Sequence, residues 1–145
     1  MRALIQRVNW SRLVIAGDVH AEIGPGLLVL VGMEKDDDSA AADKLLHKVL
    51  AYRVFADEAG KMNLGLKDIG GELLLVSQFT LAASTSKGLR PSFSSAMPPI
   101  EAEALYDELV AKARLSYDKV QSGVFAADMQ IALENNGPVT FMLQS

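Results

Sequence analysis

The sequence predicts a mixed α/β fold, organised as a single domain that covers residues 1–145. Two short runs of apolar residues, 27–31 and 73–76, are typical of strands that are buried on both faces. Two longer segments instead carry apolar residues at helical spacing. A chain of 145 residues has the usual size of one domain, and no repeat, low-complexity segment or linker divides it.

Strands and turns dominate the first third of the chain. Three further segments have the length and composition of strands: residues 3–8, 13–15 and 19–23. Gly17 and Asp18 predict a turn between the last two, and residues 24–26 (GPG) predict another before the apolar strand at 27–31. We expect these strands to form a β-meander.

Two helices are predicted from the apolar spacing. The first follows an acidic loop at 32–38, and Ser39 is a suitable N-cap for it. The second covers residues 101–115, after a long irregular stretch at 82–99 that is rich in Ser, Gly and Pro. Their core-facing residues are Leu45, Leu46, Val49 and Leu50 in the first helix and Tyr106, Leu109, Val110 and Ala113 in the second.

Loops and extended segments complete the chain. A glycine-containing loop at 57–71 precedes the second apolar strand, and long loops of this kind are often functional. After Gly123 we expect extended structure, then a turn at 135–138 and a closing strand at 139–143.

The composition excludes several kinds of site. The chain has no cysteine, which rules out a disulfide scaffold, a thiol nucleophile, an iron–sulfur cluster and a cysteine zinc site. His20 and His47 are the only histidines, so a histidine-rich metal centre is excluded as well. We expect both to be surface or half-buried side chains, and we expect no metal and no other cofactor.

The net charge and the N-terminus limit the partners. A net charge of −4 makes the chain a poor non-specific binder of nucleic acid, because that affinity comes from neutralising phosphates. The first residues carry charges within an apolar stretch and match neither a targeting signal nor a membrane span. We therefore expect a cytoplasmic protein that contacts no membrane and that contacts a nucleic acid only locally.

The first candidate site consists of Ser77, Gln78, Phe79 and Thr80, which follow the second apolar strand directly. Where a chain leaves a sheet, its N–H groups are no longer used by the ladder, and these side chains add hydroxyl and amide groups. Such a set suits an oxyanion hole or a ligand clamp. A strand that merely frays into a polar turn has the same pattern, and spacing alone favours this simpler interpretation.

The second candidate is the segment 136–140 (NGPVT). Gly137 permits close approach of the backbone to a ligand, and Pro138 permits a cis peptide bond. A rigid turn with outward carbonyl groups can bind a substrate ammonium group. An ordinary hairpin turn has the same pattern, and the pattern alone favours that interpretation.

Taken together, the segments 77–80 (SQFT) and 135–140 (NNGPVT) resemble the two signature motifs of the D-aminoacyl-tRNA deacylase family. Three more segments agree with that family: residues 3–8, 90–93 and 125–130. Either motif alone is weak, but the ordered set is highly specific. The resemblance covers essentially the whole chain.

The resemblance implies an activity, a fold and an assembly. Members of this family hydrolyse the ester that joins a D-amino acid to the terminal ribose of tRNA, and they also remove glycine from mischarged tRNA. The implied fold is a layered, barrel-like β-sheet core with two main helices packed on one side. The expected partners are the 3′ end of an aminoacyl-tRNA and a second copy of the chain in a homodimer.

The resemblance also implies roles for individual residues. The expected catalytic group, around the ester carbonyl, is Ser77, Gln78, Phe79 and Thr80. The expected substrate-binding residues are Gly137, Pro138, Val139, Phe125 and Met129. In the family the Gly–Pro bond is cis and its turn enters the partner's active site, where main-chain oxygens face the α-carbon of the substrate. Arg7 is expected to brace this turn across the interface.

Catalysis without a histidine base needs a separate explanation. An aminoacyl ester is already activated, and backbone donors near Phe79 and Thr80 can stabilise the oxyanion. Nothing in the sequence supplies an obvious base for a Thr80 nucleophile. We therefore favour attack by water with help from the ribose hydroxyl, with Thr80 and Gln78 as positioning groups. Lys87 and Arg90 are candidate cations for the tRNA end, whereas Lys61 is more simply a solvated charge.

Two other functions stay open at this point. One is a non-catalytic homodimeric binding module for nucleic acid or protein, built on the glycine-rich loops. The other is a general esterase, which would cleave small activated esters without tRNA. Selective loss of a D-aminoacyl ester over its L counterpart separates both from a chiral deacylase.

Overall fold

The computed structural model describes all 145 residues. It contains eight β-strands, two α-helices and one short 3-10 helix, so the predicted mixed α/β class is confirmed. The elements are β1 Arg2–Ile15, β2 Asp18–Ile23, β3 Gly26–Gly32, α1 Ser39–Ala51, β4 Phe55–Ala56, β5 Met62–Leu64, β6 Glu72–Ser77, the 3-10 helix Phe79–Ala82, α2 Pro99–Ser116, β7 Val120–Ser122 and β8 Met129–Gln144.

The opening elements form one long hairpin, and the predicted β-meander is wrong. β1 is a single strand of 14 residues, although the sequence pattern predicts two shorter ones. β2 pairs with its second half and β3 with its first half, so that Ser11 lies opposite Ile23 and Val8 opposite Gly26. β2 and β3 therefore follow each other along one edge of β1, interrupted at Pro25, instead of pairing with each other.

The turn between β1 and β2 lies at Ala16 and Gly17, one residue before the predicted position. Ile15 pairs with Asp18, which leaves only these two residues to reverse the chain. Both have positive φ angles, 51° for Ala16 and 83° for Gly17. Two-residue hairpin turns of this kind are favoured because their twist matches that of the flanking strands.

The sheet has two buried faces. β8 pairs with β1, and β6 and β7 extend the sheet in parallel beyond β3, which gives a nearly closed, barrel-like sheet. Along β3, Leu27 and Val29 belong to the core on the helical side, whereas Leu28 packs on the opposite face with Leu74 and Val76 of β6. The prediction that both apolar strands are buried on both faces is therefore confirmed.

Both helices cover the same face of the sheet and pack against each other. All eight residues predicted to face the core are buried. The N-cap of α1 is Asp38, whose Oδ1 accepts a hydrogen bond of 2.9 Å from the N–H of Ala41, so the prediction of Ser39 as the cap is wrong. The carboxylate reaches the free amide, while the hydroxyl of Ser39 instead lies 2.7 Å from Nζ of Lys112 on α2.

Two boundaries differ from the sequence pattern. α2 begins at Pro99, two residues before the predicted start, because proline suits the first turn of a helix. The predicted loop at 57–71 contains β5, which pairs with β4. No helix combines the length and the apolar composition that a membrane crossing needs.

Candidate active site

A cavity of about 500 Å³ opens at the carboxyl end of β6. Its mostly apolar lining brings Ser77, Gln78 and Phe79 together with Phe125 and Met129, which lie far apart in the sequence. Five residues of the two predicted groups thus share one concave surface.

The segment after β6 is an ordered turn and not a frayed strand end. The N–H of Gln78 donates to the carbonyl of Val31 at 2.7 Å, and the chain then enters the 3-10 helix. Nε2 of Gln78 donates to Oγ1 of Thr80 at 2.6 Å. This hydrogen bond holds Thr80 beside the cavity, although Thr80 is not among the residues that line it.

The start of the 3-10 helix offers hydrogen-bond donors. The first N–H groups of a helical turn have no acceptor within that turn, and here they belong to Phe79 and Thr80. The ring of Phe79 is 59% exposed and packs on Phe93 with a centroid distance of 5.0 Å. Amide donors at the edge of an apolar cavity can stabilise negative charge that develops on a carbonyl oxygen.

The buried phenol of Tyr106 lies behind the cavity and connects β6 with the segment that follows β7. It lies 3.0 Å from the carbonyl oxygen of Leu75 on β6 and 3.1 Å from that of Gly123, just after β7. Burial raises the pKa of Tyr106 far above its ordinary value, so the group stays a neutral donor. The ring of Phe125 packs at 6.2 Å from that of Tyr106.

Sequence reasoning missed one charged residue of the cavity. Asp128 is the only ionisable side chain among the lining residues. Its Oδ1 accepts a hydrogen bond of 3.1 Å from Nε2 of Gln130. The available signal was its position inside the segment 125–130, which carries part of the family resemblance.

The predicted turn at 135–138 does not reverse the chain. Asn135 pairs with Val8 and Thr140 pairs with Gln6, so β8 runs antiparallel to β1 on both sides of the turn. The interpretation as a hairpin turn is therefore wrong, because the residues between these pairs leave the strand as a bulge. The separate closing strand predicted at 139–143 is likewise a continuation of β8.

Hydrogen bonds within the bulge and from a residue of β1 fix its conformation. Oδ1 of Asn135 accepts a hydrogen bond of 2.7 Å from the N–H of Val139. Nε of Arg7 donates to the carbonyl of Asn136 at 2.9 Å, within the same chain. Gly137 has a φ of 135°, and the peptide bond between Gly137 and Pro138 is cis.

The cavity and the bulge are separate features of one chain. Gly137 and Pro138 are exposed, and neither they nor Val139 line the cavity of their own chain. Arg7 contacts the bulge and also donates to the carbonyl of Val54 at 2.6 Å. The two signature segments are thus not brought together within a single protomer.

Charged residues elsewhere are peripheral to the cavity. His20 and His47 are both exposed surface side chains, as predicted, and neither lines it. The candidate tRNA-contacting cations Lys87 and Arg90 are also exposed, and so is Lys61, as expected for a solvated charge. No group of three or more His, Cys, Asp or Glu residues is arranged to hold a metal ion.

Known proteins resemble this chain over its full length. Residues 4–144 match the profile of a family described as D-Tyr-tRNA(Tyr) deacylase. The chain is 63% identical over 145 residues to the D-aminoacyl-tRNA deacylase of Stutzerimonas stutzeri (strain A1501), with 100% of both sequences covered. A solved structure of the c-Myc DNA Unwinding Element Binding Protein superposes with a TM-score of 0.96 at 37% identity, covering 100% of this chain and 99% of that chain.

A more distant structure has the same fold. It is a probable eukaryotic D-amino acid tRNA deacylase, with a TM-score of 0.84 at 20% identity. The match covers 99% of this chain and 98% of that chain. The barrel-like sheet with two helices is therefore shared well beyond close relatives.

Proposed function

The chain belongs to the D-Tyr-tRNA(Tyr) deacylase family and is a D-aminoacyl-tRNA deacylase, a hydrolase, and we propose that it separates D- from L-amino acids with the turn at Gly137 and Pro138. The observation that carries the function is the 63% identity to a D-aminoacyl-tRNA deacylase over the whole chain. The proposed deacylase domain comprises all residues, 1–145. The proposed place of action is the cytosol, where aminoacyl-tRNAs serve translation.

The proposed reaction is hydrolysis of the ester between the amino acid and the terminal ribose. Water attacks the ester carbonyl, the bond to the ribose oxygen breaks, and the products are a free D-amino acid and tRNA. The amides of Phe79 and Thr80 stabilise the oxyanion, an effect worth about 2.7–4 kcal/mol per donor in other enzymes. The cavity has no histidine, so the neighbouring ribose hydroxyl assists the water, while Gln78 and Thr80 position groups.

Chiral selection in this proposal comes from steric collision. The main-chain oxygens of Gly137 and Pro138 face the α-carbon, so an L side chain meets backbone that cannot move aside. Support comes from the rigid anchoring of the bulge by Arg7 and by the side chain of Asn135. Glycine has no side chain to collide, so glycyl-tRNA is a substrate in the same geometry.

The proposed assembly is a homodimer in which each turn enters the partner's cavity. The turn is exposed and lies outside the cavity lining of its own chain, which supports a site completed by a second copy. β8 pairs only with β1 and exposes Phe141 and Met142 near the turn, with 39% and 50% of their surfaces accessible. Apolar side chains on a strand with one free edge favour association with another chain.

The proposed contact with tRNA is confined to its 3′ end. Phe125 and Met129 shape the pocket for the terminal adenosine and the aminoacyl group, and Lys87 and Arg90 meet nearby phosphates. A net charge of −4 is consistent with weak, local binding to the tRNA. Weak binding at the 3′ end allows one enzyme to act on many tRNAs and to discriminate by the amino acid alone.

A second candidate is a nucleic-acid-binding module without catalysis. It is favoured by the 37% identity to a protein that is described as binding a DNA unwinding element. The acidic net charge opposes it, because binding to duplex DNA depends on neutralising phosphates.

The experiment that tests the function compares the two enantiomers. The purified protein is incubated with D-tyrosyl-tRNA, L-tyrosyl-tRNA and a small activated ester, and release of the acyl group is followed. We expect rapid loss of the D-ester only. Equal loss of both tRNA esters contradicts chiral selection, loss of the small ester points to a general esterase, and loss of none favours the binding module.

A further inference from the structure

We propose that the carboxylate of Asp128 binds the α-ammonium group of the aminoacyl ester, an inference that rests on the proposed deacylase function. Asp128 is exposed to solvent and is the only ionisable residue that lines the cavity beside Ser77 and Gln78. An aminoacyl ester carries one cation next to its reacting carbonyl, and that cation is the α-ammonium. The single charge of the cavity thus has one natural counterpart on the substrate.

The charge of Asp128 is available for a ligand. None of the ion pairs in the chain includes it. Its one hydrogen bond within the protein comes from the neutral amide of Gln130 and occupies Oδ1. This contact orients the carboxylate and leaves Oδ2 free to accept a hydrogen bond from an ammonium group.

The backbone at Asp128 is fixed on both sides. Ala126, two residues earlier, has a φ of 60°, a left-handed conformation that is uncommon for a residue with a side chain. The N–H of Ala127 donates to the carbonyl of Val124 at 3.3 Å and closes the turn. Met129, the next residue, starts β8 and pairs with Ile15 of β1. Asp128 is therefore held between a closed turn and a paired strand.

The sign of the charge also orients the substrate. The carboxylate attracts the ammonium and repels the phosphates of the tRNA, so the aminoacyl end enters the cavity toward Asp128 and the phosphates stay outside. The ammonium at Asp128 and the carbonyl at the Phe79 amide fix two substituents of the α-carbon. With these two groups fixed, mirror-image substrates differ in the direction of the amino-acid side chain. A rigid turn can discriminate between them by that direction.

The test compares D-phenylalanyl-tRNA with D-phenyllactyl-tRNA, in which a hydroxyl replaces the ammonium; the resulting difference in ester reactivity is the same for every variant and cancels when their ratios are compared. We measure kcat/KM for both, corrected for spontaneous hydrolysis, in the wild type and in Asp128→Asn. We expect the ratio of amino to hydroxy substrate to fall about tenfold in Asp128→Asn, which corresponds to about 1.4 kcal/mol. Asp128→Glu, which keeps the charge, retains most of the preference.

A matched control removes the same charge elsewhere. Asp118 is exposed and lies outside the cavity lining, so Asp118→Asn leaves the ratio unchanged. Thermal unfolding checks that each variant folds, and Asp128→Ala replaces Asp128→Asn if the latter does not.

The outcomes distinguish a failure of the role proposed for Asp128 from a failure of the deacylase function. An unchanged ratio in Asp128→Asn overturns the role of Asp128, and so does an equal loss on both substrates, which indicates a structural effect. A wild type that hydrolyses neither substrate instead overturns the deacylase function, and the inference fails with it.

Discussion

Nε of Arg7 donates a hydrogen bond of 2.9 Å to the main-chain carbonyl of Asn136. The same guanidinium donates to the carbonyl of Val54 at 2.6 Å. A single side chain on β1 therefore connects the bulge in β8 with the segment that follows α1. The direction of the turn depends on this connection more than on the sheet, because the bulge residues take no part in the ladder.

Replacing Arg7 is expected to impair the enzyme and to destabilise the fold. Arg7→Ala loses two charge-assisted hydrogen bonds, each worth about 1.5–3 kcal/mol, and frees the turn to move. We expect kcat/KM for a D-aminoacyl-tRNA to fall at least about tenfold. Arg7→Lys restores little, because an ammonium group cannot reproduce a fork of two donors. Full activity in Arg7→Ala contradicts a bracing role.

Gly137 is expected to tolerate no side chain. A Cβ there would lie 2.7 Å from Cγ2 of Val139 and 2.9 Å from a terminal nitrogen of Arg7, on a backbone with a φ of 135°. We expect Gly137→Ala to lose most D-aminoacyl hydrolysis and to cost about 1 kcal/mol or more in unfolding free energy.

The matched control for this variant is Gly60→Ala. Gly60 also has a positive φ, 76°, but a Cβ there would meet no atom within 4 Å. Gly60→Ala should therefore lower the unfolding free energy, because alanine is strained at this φ, without any loss of activity. Equal activity of the two variants means that the turn does not act on the substrate.

The hydroxyl of Thr80 is expected to assist hydrolysis without being the nucleophile. Thr80→Val keeps the shape of the side chain but removes the acceptor of the hydrogen bond from Gln78. Single-turnover hydrolysis should slow by about tenfold, in line with the loss of one hydrogen bond. Abolished hydrolysis with intact binding in both Thr80→Val and Thr80→Ala, or an acyl group trapped on Thr80, contradicts the water mechanism.

Tyr106 is expected to make stability fall in alkaline solution. Burial raises its pKa above the ordinary value of 10.0, so its contribution is fully present below that pH and is lost as pH rises toward the folded-state pKa. The unfolding free energy of the wild type should decrease between about pH 9 and about pH 11. Tyr106→Phe should show a shallower decrease, measured by denaturant unfolding. Parallel curves for the two proteins contradict this assignment.

The features predicted correctly from the sequence are those set by local burial. The strands at 27–31 and 73–76 consist of apolar residues only, and this marks burial on both faces whatever the topology. The helix faces, such as the one with Leu45 and Val49, follow from spacing alone.

The errors concern pairing between distant segments. Nothing near Gly24 indicates that β2 and β3 share one long partner, because that depends on the 14-residue length of β1. The residues 135–138 have the composition of a hairpin turn, and only the pairing of both flanks with β1 reveals a bulge. Asp128 was missed for a similar reason, since only the fold places it in the cavity with Gln78.

The most direct measurement of the central claim, that one protomer's turn completes its partner's cavity, is activity after mixing two inactive variants. One variant carries a defective turn, Gly137→Val, and the other a defective cavity, Gln78→Ala, and each is nearly inactive alone. Random exchange of subunits produces mixed dimers with one intact site, so we predict recovery of about a quarter of wild-type D-aminoacyl-tRNA hydrolysis. If the mixture stays as inactive as its components although mixed dimers form, the turn does not act across the interface.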